Sequence, residues 1–296
     1  MKGISKNPAE ASATLRAKGK VLRHLIAALH GEARRYRKRL EASQRHFSQK
    51  AVHESRIQTR RLLAIVELLV AFLSIKELKK SRRALKQHLD LFDDLRDTQV
   101  QLTLVKPLRK DFPAARSFHL WLRQREEQFI RAVRRGLRKI KTRRLSRRME
   151  QYEEELRTQE KRISSSRALR MMEITIQLAF AEVDRRRKLV QAEDTRTIHR
   201  TRIAFKRFRY MVEASVALLS GISKGYRQEM HDYQTCMGEI QDAEVLLAAF
   251  DAFAAGQSEG AEIRRLRQHF EQRRKDLIQD FLTHSDELLN FWPLSR

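Results

Sequence analysis

Hydrophobic and polar positions alternate along most of the chain with the period of an α-helix. In the segment that starts at Ala51, Leu62, Val66 and Leu69 fall on one helical face, and a row of cations falls on the opposite face. Long stretches of Leu, Ala, Arg, Lys, Glu and Gln are interrupted by only 9 Gly and 4 Pro, and β-branched runs are scarce. The pattern therefore predicts an all-α protein.

The same pattern predicts about four helices in each half of the chain. The third helix should break near Asp93, because the run LDLFDD offers an aspartate that can cap a new helix. With 296 residues the chain has room for two packed lobes, which we place at about 13–145 and 163–290, after a flexible N-terminus at 1–12 and around a charged linker at 142–162. The predicted helices are 11–45, 49–73, 75–104 and 114–141, then 164–192, 195–219, 224–253 and 259–288.

An internal repeat relates the two halves. AVHESRIQTRRLLAIVELL, from Ala51, resembles TIHRTRIAFKRFRYMVEAS, from Thr197, at an offset of 146 residues. Further on, DDLRDTQVQL resembles GEIQDAEVLL, which brings Asp97 onto Asp242 at an offset of 145, and the tripeptide LRQ recurs at an offset of 144. Three matches in the same order at nearly one offset indicate a duplication, and hence two copies of one helical unit.

Each copy carries a basic stripe led by a histidine. Positions 0, 3 and 7 of a helix lie within about 60° of each other, and position 8 flanks them. The first copy fills these positions with His53, Arg56, Arg60 and Arg61, and the second copy fills them with His199, Arg202, Lys206 and Arg207. A second pair of stripes lies on the next helix of each half, with Lys79, Arg82 and Lys86 in the first half and Lys224, Arg227 and His231 in the second.

The net charge narrows the classes of partner. Lys and Arg number 63 against 37 Asp and Glu, a formal charge of +26, which favours nucleic acid, an anionic membrane or a phosphate polymer. Arginine forks and lysine ammonium groups bind phosphoryl oxygens, and a neutral imidazole can donate one hydrogen bond. Few acidic residues stand at i,i+4 within the stripes, so we interpret the stripes as walls of a phosphate-binding site.

Other chemistries lack a signature. The single Cys236 excludes an intrachain disulfide and a cysteine-based zinc site, and arginines beside the histidines oppose a metal cation, so we expect no metal and no organic cofactor. No P-loop, nucleophile elbow or HExxH run occurs, so we expect no enzyme activity. Asp97 and Asp242 are interpreted as capping or salt-bridging residues, as are Asp94 and Glu239. The N-terminus lacks the apolar run of a signal peptide and no stretch is long enough to span a membrane, so a cytoplasmic location is expected.

The segments VHESRIQTRRL and IHRTRIAFKRF, followed by LRDTQV and IQDAEV, resemble the landmarks of the CHAD family, whose domains are named for their histidines and helices. The resemblance covers about residues 15–289 and makes 13–296 a single CHAD domain. It implies two four-helix bundles related by a pseudo-two-fold axis, with a basic channel between them. It also implies binding of inorganic polyphosphate and association with polyphosphate granules, with polyphosphate-metabolising enzymes as further partners. One departure is that Phe205 and Phe208 stand where the first motif has Thr59 and Leu62.

Two alternatives stay open. Nucleic acid is a competing polyanion, although aromatic residues that stack on bases make up only 7% of the chain. Membrane-surface docking is conceivable for the very basic segment 131–148.

Overall fold

The computed structural model describes residues 21–139, 153–258 and 260–292, and within these ranges it contains ten α-helices and no strand. The predicted all-α class is confirmed. The expected flexible segment 1–12 and residues 142–152 of the charged linker lie outside the described residues. The first-half helices are α1 (Val21–His46), α2 (Gln49–Phe72), α3 (Lys76–Leu91), α4 (Asp93–Leu108) and α5 (Pro113–Lys139). After them come α6 (Glu153–Arg162), α7 (Ser165–Arg187), α8 (Thr195–Ala214), α9 (Lys224–Ala254), α10 (Ala261–Thr283) and a 3-10 helix (Ser285–Phe291).

Capping side chains place the start of both motif helices a few residues before the motif histidine. The Ser48 side chain accepts a hydrogen bond from the Ala51 N–H at the start of α2, and the Asp194 side chain accepts one from the Arg196 N–H at the start of α8. These side chains satisfy backbone donors that have no partner inside a helix. Each histidine therefore lies in the second turn of its helix.

The third predicted helix of the first half breaks where its sequence indicates. α3 ends at Leu91 and α4 begins at Asp93, with the buried Phe92 between them. The Phe92 N–H donates to the Leu89 carbonyl at 3.1 Å, which closes the last turn of α3. The corresponding helix of the second half, α9, runs without a break for 31 residues. The two halves therefore differ in backbone at this point.

One helix within the predicted linker was not assigned from the sequence. α6 buries Leu156, and its Glu160 accepts a hydrogen bond from Arg23 of α1 at 2.6 Å. This part of the linker therefore packs on the first half.

The apolar core consists of two clusters that both take residues from both halves. The larger one joins α1, α2, α3, α7 and α8, with the first turns of α9 and the 3-10 helix. The smaller one joins α4 and α5 to the end of α9 and the start of α10, and it centres on the ring of Phe118 against Phe250 and Phe253. Because both clusters are shared, the division into two separate four-helix bundles stays a prediction.

Contacts between the halves bring the repeated segments together. The motif helices α2 and α8 pack against each other, and so do α4 and α9. The Gln101 side chain of α4 donates to the Val245 carbonyl of α9 at 3.0 Å. No helix in the described part of the chain is long and apolar enough to cross a membrane.

Candidate functional site

The basic stripes of the two motif helices converge between the halves. Arg60 of α2 lies within electrostatic range of Arg56 on its own helix and of Arg202 on α8. Lys206 of α8 lies within range of Arg202, Arg60 and Arg56. Four cations from two distant stretches of sequence therefore share one site. We call these four cations the central cluster, together with Arg96 and the histidines and carboxylates beside them. Its members are His53, Arg56, Arg60, Asp93, Arg96, Asp97, His199, Arg202, Lys206 and Asp242.

Burial and repulsion from neighbouring cations lower the pKa values of Arg60, Arg202 and Lys206. Burial, followed by Arg56, lowers the pKa of Arg60 to about 10, with Tyr210 and Asp93 acting in the opposite direction. Burial also holds the pKa of Lys206 well below its usual value, and Arg202 and Arg60 lower it further. An anion placed among these groups would relieve the repulsion, so the geometry favours an anionic ligand.

The two motif histidines have lowered pKa values for the same reasons. Burial is the first cause for both, followed by Arg96 for His53 and by Lys206 and Arg202 for His199. A hydrogen bond with Gln241 acts in the opposite direction on His199. The Nδ1 atom of His199 is buried and has no hydrogen-bond partner among the described residues. Near pH 7 both imidazoles are therefore neutral, and each can donate one hydrogen bond.

Arg56 is firmly held within its own half. Its side chain is only 8% exposed and forms an ion pair with the Asp93 carboxylate. It also donates to the Leu89 carbonyl at 2.6 Å. Both partners lie at the break between α3 and α4, where the Leu89 carbonyl accepts from the Phe92 N–H and, as a second donor, from Arg56.

Arg202 occupies the equivalent position in the second half and has different neighbours. Its guanidinium lies over Gly238 of the unbroken α9, where an added Cβ would be 3.4 Å from Arg202 Nη2. Its Nε atom is buried and has no hydrogen-bond partner in the described ranges. Burial lowers its pKa, while Asp242 and Asp97 raise it. This arginine has donors to offer a ligand.

Two carboxylates lie beneath the cations. Burial raises the pKa of Asp97 to about 6, against the influence of Arg56, and burial also raises the pKa of Asp242 against Arg202 and Arg96. Neither carboxylate forms an ion pair or a hydrogen bond within the described residues. The interpretation of these aspartates as salt-bridging residues therefore missed the carboxylate that does hold a motif arginine, which is Asp93.

Arg96 of α4 belongs to the central cluster but is not part of the predicted stripes. Of the neighbouring charges it has the largest effect on the pKa of His53, which it lowers, and its buried Nη1 atom has no hydrogen-bond partner in the described part of the chain. At the offset of 145 it corresponds to Gln241, so the repeat does not keep its charge. The sequence prediction selected only positions that are basic in both copies. It did not select Arg96, because the equivalent residue Gln241 is uncharged.

The other predicted residues lie outside this cluster. Arg207 donates to the buried Glu67 at 2.8 Å, and the Lys86 ammonium is 3.6 Å from the same carboxylate, so both serve a contact at the other end of α2. The remaining six make no side-chain hydrogen bond or ion pair with described residues of the central cluster, and all but the half-buried Arg82 are exposed: Arg61, Lys79, Arg82, Lys224, Arg227 and His231. Their role in binding stays a prediction.

The aromatic residues of the second motif belong to the core. Phe205 and Phe208 are fully buried and Tyr210 is 6% exposed. The ring of Phe205 packs against Tyr233 and Phe291, at centroid distances of 5.3 and 5.5 Å. These rings offer no face on which a nucleobase could stack.

A groove lined by residues of α10 lies away from the central cluster. It has a volume of about 850 Å³ and runs along α10, where Phe112, Arg265 and His269 line one end and Ile278 and Leu282 the other. The Phe112 and His269 rings are already in contact at 5.1 Å. No group of three or more residues that could hold a metal ion occurs within the described ranges.

Comparisons with known proteins agree on one family. The sequence matches the family model of the CHAD domain over residues 27–251. A search of curated proteins found no match. Among solved structures, the chain is similar to the crystal structure of the CHAD domain from the plant Ricinus communis, with 17% sequence identity and a TM-score of 0.63. The similarity covers 94% of this chain and 93% of that chain, and at this identity it shows a shared fold alone.

Proposed function

This chain belongs to the CHAD domain family, and we propose that its central cluster binds inorganic polyphosphate as an extended chain between the two halves. The family is associated in general with polyphosphate binding. The finer assignment to this chain depends on the chemistry of its own site.

The convergence of cations from both repeats carries the proposal. Arg56 and Arg202 lower the pKa of Arg60, and all three arginines lower the pKa of Lys206, although the two motifs lie 146 residues apart. Clustered cations cost free energy in the absence of a ligand, and a ligand with regularly spaced negative charges offsets that cost. A linear phosphate polymer presents such charges along its whole length.

The neutral histidines and the buried aromatics favour a bare phosphate chain over nucleic acid. Imidazole N–H groups donate to phosphoryl oxygens without adding to the repulsion in the free protein. Nucleic acid would gain much of its affinity from base stacking, and the rings nearest to the motif, Phe205 and Phe208, are unavailable for it.

We propose that the domain acts as a binding module without catalysis of its own. A module of this kind would target the protein to polyphosphate granules or organise them, and polyphosphate-metabolising enzymes are its natural partners. The central cluster contains no nucleophile activated by a neighbouring base, which supports binding rather than turnover.

A competition titration at near-physiological salt tests the proposal. Labelled long-chain polyphosphate is bound to the protein and displaced with unlabelled polyphosphate, single-stranded RNA or duplex DNA, compared per unit of charge. We expect polyphosphate to compete about a hundredfold better, equivalent to about 2.7 kcal/mol. Equal competition by RNA or DNA would overturn the assignment in favour of a general polyanion or nucleic-acid role.

A further inference from the structure

Two pairs of equivalent positions in the central cluster differ between the halves. At the offset of 145, Asp93 corresponds to Gly238 and Arg96 corresponds to Gln241. All four residues lie on the helices α4 and α9, which face the motif helices. The first half has therefore gained both a carboxylate and an arginine relative to the second half.

The carboxylate of the first half occupies the motif arginine. Arg56 forms its ion pair with Asp93 and its hydrogen bond with the Leu89 carbonyl, and it is almost fully buried. Two of its N–H donors are already taken and its charge is balanced by a carboxylate. A phosphoryl group bound here therefore gains less from Arg56 than from an arginine without an ion-pair partner.

The additional arginine of the first half has no such partner. Arg96 forms no hydrogen bond or ion pair with the residues that the structure describes, and its Nη1 atom is buried without an acceptor. Arg202 of the second half likewise has a buried Nε atom without a hydrogen-bond acceptor among the described residues. A buried donor without an acceptor costs free energy that a ligand oxygen would recover.

Arg96 and Arg202 also lie on the same patch. Both arginines lower the pKa of Asp242, and the effect of Arg202 is larger than that of Arg96. Arg96 is in turn the neighbouring charge with the largest effect on the pKa of His53, and Arg202 also lowers the pKa of His199. Each half thus offers one available arginine beside its own histidine.

We propose that Arg96 and Arg202, which are not equivalent in the repeat, make the arginine contacts to the ligand, and that Arg56 is a structural residue fixed by Asp93. Arg96 thereby replaces Arg56 as the phosphoryl-binding arginine of the first half. This inference rests on the proposed function and specifies its contacts. It assigns a ligand-binding role to a residue outside the repeated motif.

The test uses Arg96→Gln, because glutamine is the residue of the equivalent position in the second half. Its matched control is Arg83→Gln, the same change at an exposed position of α3. Affinity for long-chain polyphosphate is measured at fixed salt for the whole protein. We expect Arg96→Gln to weaken binding by about tenfold or more, and Arg83→Gln to weaken it by less than about twofold. Arg96→Lys, which keeps the charge and loses the planar fork, should fall between wild type and Arg96→Gln even if Arg96→Gln lowers the melting temperature.

The double variant R96Q/Q241R moves the available arginine to the other half. Because the position beside His199 is then occupied by a guanidinium, we expect it to bind more tightly than Arg96→Gln alone. Equal affinities of Arg96→Gln and Arg83→Gln, in a wild-type protein that prefers polyphosphate, would overturn the inference. If wild type instead shows no preference for polyphosphate, the proposed function fails, and the same pair of variants measured with RNA still decides the role of Arg96.

Discussion

The two motif helices carry the same basic pattern, but their arginines meet different surroundings. Arg56 of α2 faces the break between α3 and α4, where a carbonyl and the Asp93 carboxylate satisfy it. Arg202 of α8 faces Gly238 in an unbroken α9 and keeps an unsatisfied donor. A duplicated sequence motif therefore does not give a duplicated site, because the facing helix decides what each copy can do.

The physical cause lies in the backbone of the facing helix. At the end of α3 the Leu89 carbonyl accepts from the Phe92 N–H and takes the Arg56 guanidinium as a second donor. In an unbroken helix the carbonyls are occupied, and a glycine leaves room for the guanidinium without offering it an acceptor. One half thus uses its motif arginine to stabilise a helix junction, and the other half leaves it available for ligand.

The largest effects are expected from substitution of the two motif arginines, Arg56 and Arg202. Arg202→Gln is expected to weaken polyphosphate binding by about tenfold or more with little change in melting temperature, because its side chain forms no hydrogen bond or ion pair with the described residues of the free protein. Arg56→Gln is expected to lower the melting temperature by about 3–5 °C, because it removes about 2–3 kcal/mol of charged hydrogen bonds at the junction. Thermal unfolding and binding titrations of both variants measure the two effects.

Arg200→Gln is the control for these variants, since Arg200 is an exposed arginine of the same helix α8. Its melting temperature and affinity should stay close to those of wild type. The comparison fails if Arg56→Gln keeps its melting temperature and loses as much affinity as Arg202→Gln, since Arg56 would then be a ligand contact.

Gly238→Asp should convert the second half into a likeness of the first. An aspartate there would stand beside the Arg202 guanidinium, since an added Cβ meets Arg202 Nη2 at 3.4 Å. We expect the new ion pair to weaken polyphosphate binding by about fivefold and to leave the melting temperature unchanged or raised. Gly225→Asp, the same change in the first turn of α9, has only Ser223 nearby and should alter affinity far less. Equal losses in the two variants would mean that net charge alone decides affinity.

Much of the fold followed from sequence because its signals are local. Helical periodicity gave the class. The break near Asp93 occurs where it was predicted, but the capping reason was wrong, because α4 begins after Phe92 without a capping side chain and Asp93 pairs with Arg56. The histidine-led stripes gave four cations that do converge. In contrast, α6 was not predicted from the sequence. The many charged residues around the buried Leu156 weaken the periodic hydrophobic pattern in that stretch.

The partners of each cation could not be read from the sequence. Repeat alignment favours positions that are basic in both copies, so it selected Arg56 and passed over Arg96. The pairing of Arg207 and Lys86 with Glu67 depends on the angle at which α2 meets its neighbours. The burial of Phe205 and Phe208 likewise depends on the packing of the second half. Such contacts arise from tertiary geometry, which local patterns do not encode.

Changing the pH should give the smallest of these effects. The ionised carboxylates of Asp97 and Asp242 repel an anionic ligand, and their protonation removes that repulsion. Burial raises the pKa of Asp97 to about 6, so this carboxylate is ionised at pH 7.5 and largely neutral at pH 5.5. Polyphosphate affinity should therefore rise as the pH falls across this range, and protonation of His53 and His199 beside the bound anion acts in the same direction. Asp97→Asn should raise affinity at pH 7.5 by about two- to threefold and flatten the profile, whereas the exposed Asp94→Asn should leave the profile unchanged.

The free energy of unfolding should also depend on pH through the protonation of Asp97. The folded-state pKa of Asp97 lies above the value of about 3.9 in an unfolded chain, so its contribution to stability is fully present below that value. The contribution is lost as the pH rises through about 6. Asp97→Asn should therefore melt at a higher temperature than wild type at pH 7.5, and this advantage should disappear near pH 4. A lower melting temperature at pH 7.5 would instead mean that Asp97 holds an arginine in place, as Asp93 does, and the contrast between the two carboxylates would be lost.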